Sequence, residues 1–251
     1  MNRPVLLVIA HGSRDPRHAA TVQALVRRAG ALRPGLRVET AFLDFNLPSV
    51  PGVLDRLAAD GVREVVALPL LLTRAFHAKA DIPAVLRQAP PSLRIRQAEV
   101  LGPSPLLIAA VERRLYEAGL TPADKPTTGV VLASAGSTDP EAIAVIAETA
   151  RELRRTGWCS VRPAFASAVN AGGFPRTEDA VRTLRTDPGV HRVAVAPYVI
   201  APGRLPDRIA AGATEADVLA DVLGPSPELA ALLVERHESA VRAPERAAVA
   251  G

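Results

Sequence analysis

Cysteine, aromatic residues and long apolar runs are what this sequence has least of. Cys159 is the only cysteine in 251 residues. No disulfide framework and no cysteine-based metal site can form within one chain, which suits a reducing compartment, and a cytoplasmic location is expected. Aromatic residues make up only 3%, so the core is expected to be built mostly from Ala, Val and Leu. No apolar run approaches the length of a membrane span, and no membrane partner is expected. Arg3 ahead of an apolar stretch has the outline of a signal peptide. The stretch is too short for an h-region and passes straight into HGSRDP, so it reads as a strand. The net charge is +4, but no dense basic tract or aromatic stacking motif accompanies it, which argues against nucleic acid and leaves room for a small anionic ligand. No GxGxxG or GxxxxGK[ST] loop follows any strand, which argues against a nucleotide.

What is present is a globular composition, 48% hydrophobic and 22% charged, long enough for one large domain or two of about 125 residues. Val5 to Ala10 is an unbroken apolar run ended by His11, Gly12 and Ser13. Such a run reads as a strand buried on both faces in a parallel sheet. Helical spacing follows over Arg17 to Leu32, ended by Pro34-Gly35. Strands are predicted over Leu36–Phe45, Val62–Leu72 and Leu93–Val100. Helices are predicted over Pro48–Ala59, Ile82–Gln88 and from Pro105 to Ala118. Strands alternating with helices at this pitch argue for a doubly wound parallel sheet of four strands.

TPADKPTT, residues 121–128, is a polar connector, and after it the pattern restarts. GVVLASAGSTDP at 129–140 answers VLLVIAHGSRDP. VHRVAVAPYV at 190–199 answers VREVVALPLL. LGPSP at 223–227 repeats 101–105 letter for letter. Three landmarks in the same order indicate an α/β fold of two duplicated, flavodoxin-like domains facing each other across a cleft. The first unit is placed at 1–120 and the second at 129–240. Residues from Glu235 onward are charged and Ala-rich and are expected to fray, with 241–251 a flexible tail. The repeat is imperfect: His11 corresponds to Ala135, and the loop RAFHAKADIP, with His77, corresponds to PGRLPDRIAA, which has no histidine. One half is therefore expected to carry a site and the other to serve as scaffold or lid.

In an open α/β sheet ligands bind at the carboxyl ends of the strands. With strand order 2-1-3-4, His11 after strand one, Asp44 at the end of strand two and His77 after strand three all fall at that edge. Two imidazoles and a carboxylate suit a divalent first-row metal, and the imidazoles also accept protons near neutral pH. Taken singly, each has a plainer reading: a loop-bonding His, a turn-capping Asp, a solvated helix start. Their shared topological position favours the joint one. Asp15, before Pro16, reads as a helix N-cap. Ser13, Arg14, Arg74 and Lys79 flank the cluster and are candidates for holding substrate carboxylates. His18, His191 and His237 are expected to be structural or exposed.

AHGSRDP, AFLDF and LLLTRAFHAKADIP together resemble the CbiX/SirB type of sirohydrochlorin chelatase, a class II tetrapyrrole chelatase. The likeness runs through 4–118 and, weakened, through 129–240. The resemblance implies insertion of Co2+ or Fe2+ (Ni2+ in relatives) into a metal-free, polycarboxylated tetrapyrrole without ATP, feeding cobalamin or sirohaem. It implies that His11 and His77 handle the metal and accept protons, with the metal a substrate and no prosthetic group. Asp44 stands where that family generally has Glu. Duplication within one chain would favour a monomer over a homodimer. The competing reading is a non-catalytic tetrapyrrole or divalent-metal carrier. A histidine phosphatase is disfavoured, because the residue before His11 is Ala10 and not Arg.

Overall fold

A computed structural model describes residues 3–74, 77–167 and 174–243, with the side chains of residues 77 and 78 left aside. Two four-stranded sheets, every strand pair parallel, form the frame. The first has order β2-β1-β3-β4, from β1 (Val5–Ala10), β2 (Val38–Phe42), β3 (Glu64–Pro69) and β4 (Arg94–Gln97). The second has order β6-β5-β7-β8, from β5 (Thr128–Ser134), β6 (Ser160–Phe165), β7 (Arg192–Tyr198) and β8 (Val218–Leu219). This is the expected duplication. The central strands β1 and β5 are buried along their whole length, which is why they read as unbroken apolar runs.

The helices are α1 (Pro16–Leu32), α2 (Val50–Ala59), α3 (Ile82–Leu86) and α4 (Pro105–Glu117) in the first half. In the second they are α5 (Pro140–Arg155), α6 (Thr177–Arg185), α7 (Arg204–Gly212) and α8 (Pro227–Arg242). None is long and apolar enough to cross a membrane. Sequence-local chemistry starts many of them. Asp15 caps α1 by accepting from the Arg17 N–H at 2.9 Å, as expected, and Asp139 does the same for α5 from Glu141 at 2.9 Å. The connector forms a short 3-10 turn, Pro122–Thr127.

The last helices of the two halves are exchanged. α8 packs on β3 and β4 of the first sheet, and α4 packs on β7 of the second. Leu229, Ala230, Leu232 and Leu233 of α8 share one core cluster with Leu6, Val8, Val66 and Leu68, and that cluster continues through Val130, Leu132 and Ala194 of the second sheet. The exchange explains the verbatim LGPSP repeat. Arg236 on α8 donates to the carbonyls of Val100, Leu101 and Pro103 at 2.9, 2.7 and 3.0 Å. Arg114 on α4 donates reciprocally to the Leu223 carbonyl at 2.9 and 3.2 Å. A side chain at Gly102 would place its Cβ 2.2 Å from the Leu72 backbone oxygen, so that glycine is needed for the approach, and Gly224 takes the positive φ of +56° that glycine adopts readily.

Two expectations are corrected here. β2 stops at Phe42, so Asp44 lies in the following turn and not at a strand end. Residues 235–242 do not fray: they complete α8, because their apolar face has the first sheet to pack on. Residues 244–251 lie outside the described residues. His237, in the last turns of α8, is buried and has Nε2 2.9 Å from the Pro4 carbonyl. Burial pushes its pKa below the usual histidine value. With the folded pKa below the unfolded one, its contribution is whole above about pH 6.5 and declines as pH falls through that value, because the unfolded chain then binds the proton first. Urea melts at pH 7 and pH 5 are expected to show a smaller acid loss for His237→Gln than for wild type; equal losses would refute this.

Candidate active site

β1 delivers His11 to the carboxyl edge of the first sheet, and Gly12 turns the chain there with φ +95°. The turn is locked from several sides. The Asp44 N–H donates to the His11 carbonyl at 2.9 Å, and the Ser13 N–H donates to Asn46 Oδ1 at 2.8 Å. A Cβ on Gly12 would lie 1.9 Å from the Asp44 carbonyl oxygen. Gly12→Ala therefore faces both positive-φ strain and a clash with backbone, and is expected to cost about 3 kcal/mol in denaturant melts. A loss under about 1 kcal/mol would mean the turn can shift freely.

The His11 ring is half-buried, with Nδ1 3.2 Å from the Gly12 carbonyl. A carbonyl only accepts, so Nδ1 carries the proton in that bond and the neutral ring keeps its lone pair on Nε2. Asp44 is exposed, and its Oδ1 accepts from the Phe45 N–H at 2.8 Å. The His77 backbone opens the π-helical turn His77–Asp81 at the same edge; its side chain lies outside the described residues. Among the described residues, no three His, Cys, Asp or Glu side chains gather in a metal-holding group.

The flanking residues divide. Ser13 is partly committed to the turn, its Oγ accepting from the Asp15 N–H at 3.1 Å, as Ser137 does from Asp139 at the same distance. Arg14 is exposed, its guanidinium 5.3 Å from the Phe45 ring centroid. Arg74 is exposed. Lys79 crosses to the second half, 2.8 Å from both Asp139 and Glu141. Those carboxylates raise the Lys79 pKa, and Lys79 in turn holds Asp139 below the usual carboxylate range. Arg17 crosses in the same way to Asp207 at 2.9 Å. The two bridges are related by the repeat with their charges reversed, Arg17 answering Glu141 and Lys79 answering Asp207. They bring the Ser13 turn against the Gly203 loop, where a Cβ would stand 3.8 Å from Ser13 Oγ.

The second half keeps this architecture without the chemistry. Gly136 repeats the positive φ of Gly12, at +109°. Ala135 takes the place of His11. Ser167, whose N–H donates to the Ala135 carbonyl, takes the place of Asp44. Leu205 falls where the first half has His77. A cavity lined by Arg3, Arg63, Glu64 and Arg94 opens at the opposite, amino edge of the first sheet, so it is chemistry and not shape that marks the His11 edge.

Sequence reasoning did not anticipate the conformation of Phe45, and it read His18 as structural or exposed. Phe45 has φ +62° and lies 6.1 Å from the His11 ring. Nothing in an isolated Asp-Phe-Asn marks a positive φ on Phe. His18, in the first turn of α1, has its Nδ1 buried without a hydrogen-bond partner. Burial, and then the nearness of His11, hold its pKa below the usual value, so it stays neutral.

Comparison with known proteins agrees with this frame. A sirohydrochlorin cobaltochelatase of Priestia megaterium is 28% identical over 249 residues, spanning 93% of this chain and 78% of that protein. A sirohydrochlorin ferrochelatase of Bacillus subtilis is 27% identical over 213 residues, spanning 82% and 78%. The solved structure of SirB from Bacillus subtilis with Fe3+ superposes with a TM-score of 0.81 at 23% identity, over 96% of each chain. The CbiX family model matches residues 5–118 and again 129–240, the greater part of the sequence, so the chain belongs to the CbiX family in a form that carries the unit twice.

Proposed function

We propose that the chain is a sirohydrochlorin chelatase, an ATP-independent enzyme that inserts Co2+ or Fe2+ into a metal-free, polycarboxylated tetrapyrrole for cobalamin or sirohaem. The observation that carries this is the His11 turn, held at the carboxyl edge of the first of two CbiX units and reduced to Ala135 in the second. The first unit is the catalytic one; the second is a scaffold that closes the edge and supplies α8.

Metal insertion must strip water from a cation and remove two pyrrole N–H protons. His11 Nε2 is the lone pair that replaces a water or takes a proton. His77, which follows β3, the strand beside β1, supplies the second imidazole. Asp44 lies near enough in the chain path to offset the charge of the passing cation. The metal is a substrate, so the site has to release it, and two imidazoles with an exposed carboxylate hold a cation less firmly than a closed four-ligand cage. Arg14 and Arg74, both exposed at this edge, meet the peripheral carboxylates, with Ser13 as a polar neighbour. Lys79 joins them only when it leaves Asp139 and Glu141. Imidazole and carboxylate accept cobalt, iron and nickel alike, so metal choice rests on supply. The exchanged helices are both contained in one chain, which supports a monomer, and the single cysteine fits a cytoplasmic location.

The test is an anaerobic absorbance assay with sirohydrochlorin and Co2+ or Fe2+. Insertion well above the spontaneous rate is expected. Tight tetrapyrrole binding without acceleration would make the chain a carrier. Sedimentation that shows a homodimer would refute the monomer.

A further inference from the structure

Phe45 is a strained aromatic residue at the one edge where strain has a use. The Asn46 N–H donates to the Asp44 carbonyl at 2.7 Å, two residues back, with Phe45 between them at φ +62°. That is a γ-turn of the rare positive-φ kind, and Phe45 is the only non-glycine residue with positive φ among the described residues. Such conformations persist where the surroundings over-determine them, and they cluster at ligand clamps. Here Gly12 beneath the Asp44 carbonyl, the Asn46 bond to Ser13 and the Asp44 carboxylate on the Phe45 N–H impose it.

The outcome of that strain is an aromatic ring held in the open. Phe45 is 49% exposed, where an aromatic side chain is ordinarily buried. Its ring lies 6.1 Å from the His11 ring, the two planes inclined by only 34°, and the Arg14 guanidinium is stacked over it at 5.3 Å. More apolar surface surrounds it. Leu47, two residues on, is 82% exposed, and Leu205 beyond the Gly203 loop is 38% exposed. Three of the six large apolar side chains exposed among the described residues therefore lie at this edge, Phe45 and Leu47 in the loop after β2 and Leu205 at the start of α7.

We propose that Phe45 is the platform on which the flat conjugated face of the tetrapyrrole stacks, setting the pyrrole nitrogens over His11 while Arg14 holds a peripheral carboxylate. This rests on the tetrapyrrole reading above and assigns the residue that positions the substrate. The chemistry fits: a large π-face gains from offset stacking on an aromatic ring, and its carboxylate rim gains from the cation beside that ring. Phe45 acts by position and touches no proton or metal.

The strain itself makes the test discriminating. Gly and Asn adopt positive φ readily, so Phe45→Gly and Phe45→Asn relieve the turn while deleting the ring. Both are expected to keep or raise the melting temperature. Both should raise the KM for sirohydrochlorin, and its Kd by absorbance titration, by about tenfold, with kcat at saturation changed far less. Phe45→Trp restores an aromatic face and is expected to bring KM back to within about threefold of wild type. A residue that only shapes the loop would give the opposite pattern, with binding improved or unchanged in the glycine variant. KM within twofold of wild type for Phe45→Gly, or no recovery in Phe45→Trp, overturns the platform and leaves the chelatase reading standing. Wild type that neither binds sirohydrochlorin nor speeds metal insertion overturns that reading instead.

Discussion

His11→Ala is expected to slow metal insertion by about 10²–10⁴-fold with the fold unchanged. The size follows from the two tasks of the ring: it replaces a water on the cation and it accepts a proton. Loss of one positioned proton acceptor alone is worth that range. Stability is expected to survive because the imidazole gives the turn a local bond, Nδ1 to the Gly12 carbonyl of the next residue, while main-chain groups hold the rest. Gly12, Asp44, Asn46 and Ser13 hold the turn through main-chain groups and the Asn46 amide. The second half already carries this substitution, since Ala135 occupies the equivalent place and Ser137, Asp139 and Gly136 still form the same turn. Initial rates under anaerobic conditions, set beside circular dichroism and melting temperature, check it. His77→Ala is the parallel arm. A His11→Ala rate within about threefold of wild type would remove His11 from the mechanism.

Cutting the chain between the halves is expected to abolish folding of either half as a monomer. Leu229, Leu232 and Leu233 of α8 are fully buried, and their cluster includes Leu6, Val8, Val66 and Leu68 of the first sheet. Removing α8 exposes those partners as well as losing the three leucines. Each leucine alone is worth about 1.5–3 kcal/mol, so the loss rivals the whole net stability of a small domain. The three carbonyls served by Arg236 lose their donor too. A fragment of residues 1–125 can recover only by borrowing α4 from a second copy, so it should be aggregated or dimeric. Co-expression of 1–125 with 126–251 is expected to restore a soluble, active assembly. A folded monomer of residues 1–125, by sedimentation and circular dichroism, would show that the exchange is not needed.

The sequence carried most of the frame because local rules and the global fold agree in it. Unbroken apolar runs mark strands buried on both faces, Asp15 marks the start of α1, and three landmarks in order mark the duplication. The candidate site was legible as a position, the carboxyl edge of one sheet, because topology alone puts His11, Asp44 and His77 there. Where expectation failed, the missing information was always non-local. The final helix looked like a fraying tail because the surface it covers belongs to the other half. The bridge from Lys79 to Asp139 and Glu141 could not be read from the sequence, because those carboxylates, sixty residues away and more, are not its neighbours in the chain. Phe45 looked like the last residue of a strand because its positive φ is imposed by Gly12, Ser13 and Asn46 together.

The chain's own residues thus determined the class of fold, its duplication and which half bears the imidazoles, since these depend on patterns repeated along one strand or helix at a time. Only the tertiary structure decided which helix covers which sheet, which charges are spent on bridges between the halves, and that an aromatic ring stands strained and open beside His11. Those outcomes come from contacts between segments far apart in sequence, where packing and backbone hydrogen bonds override what any short stretch prefers by itself.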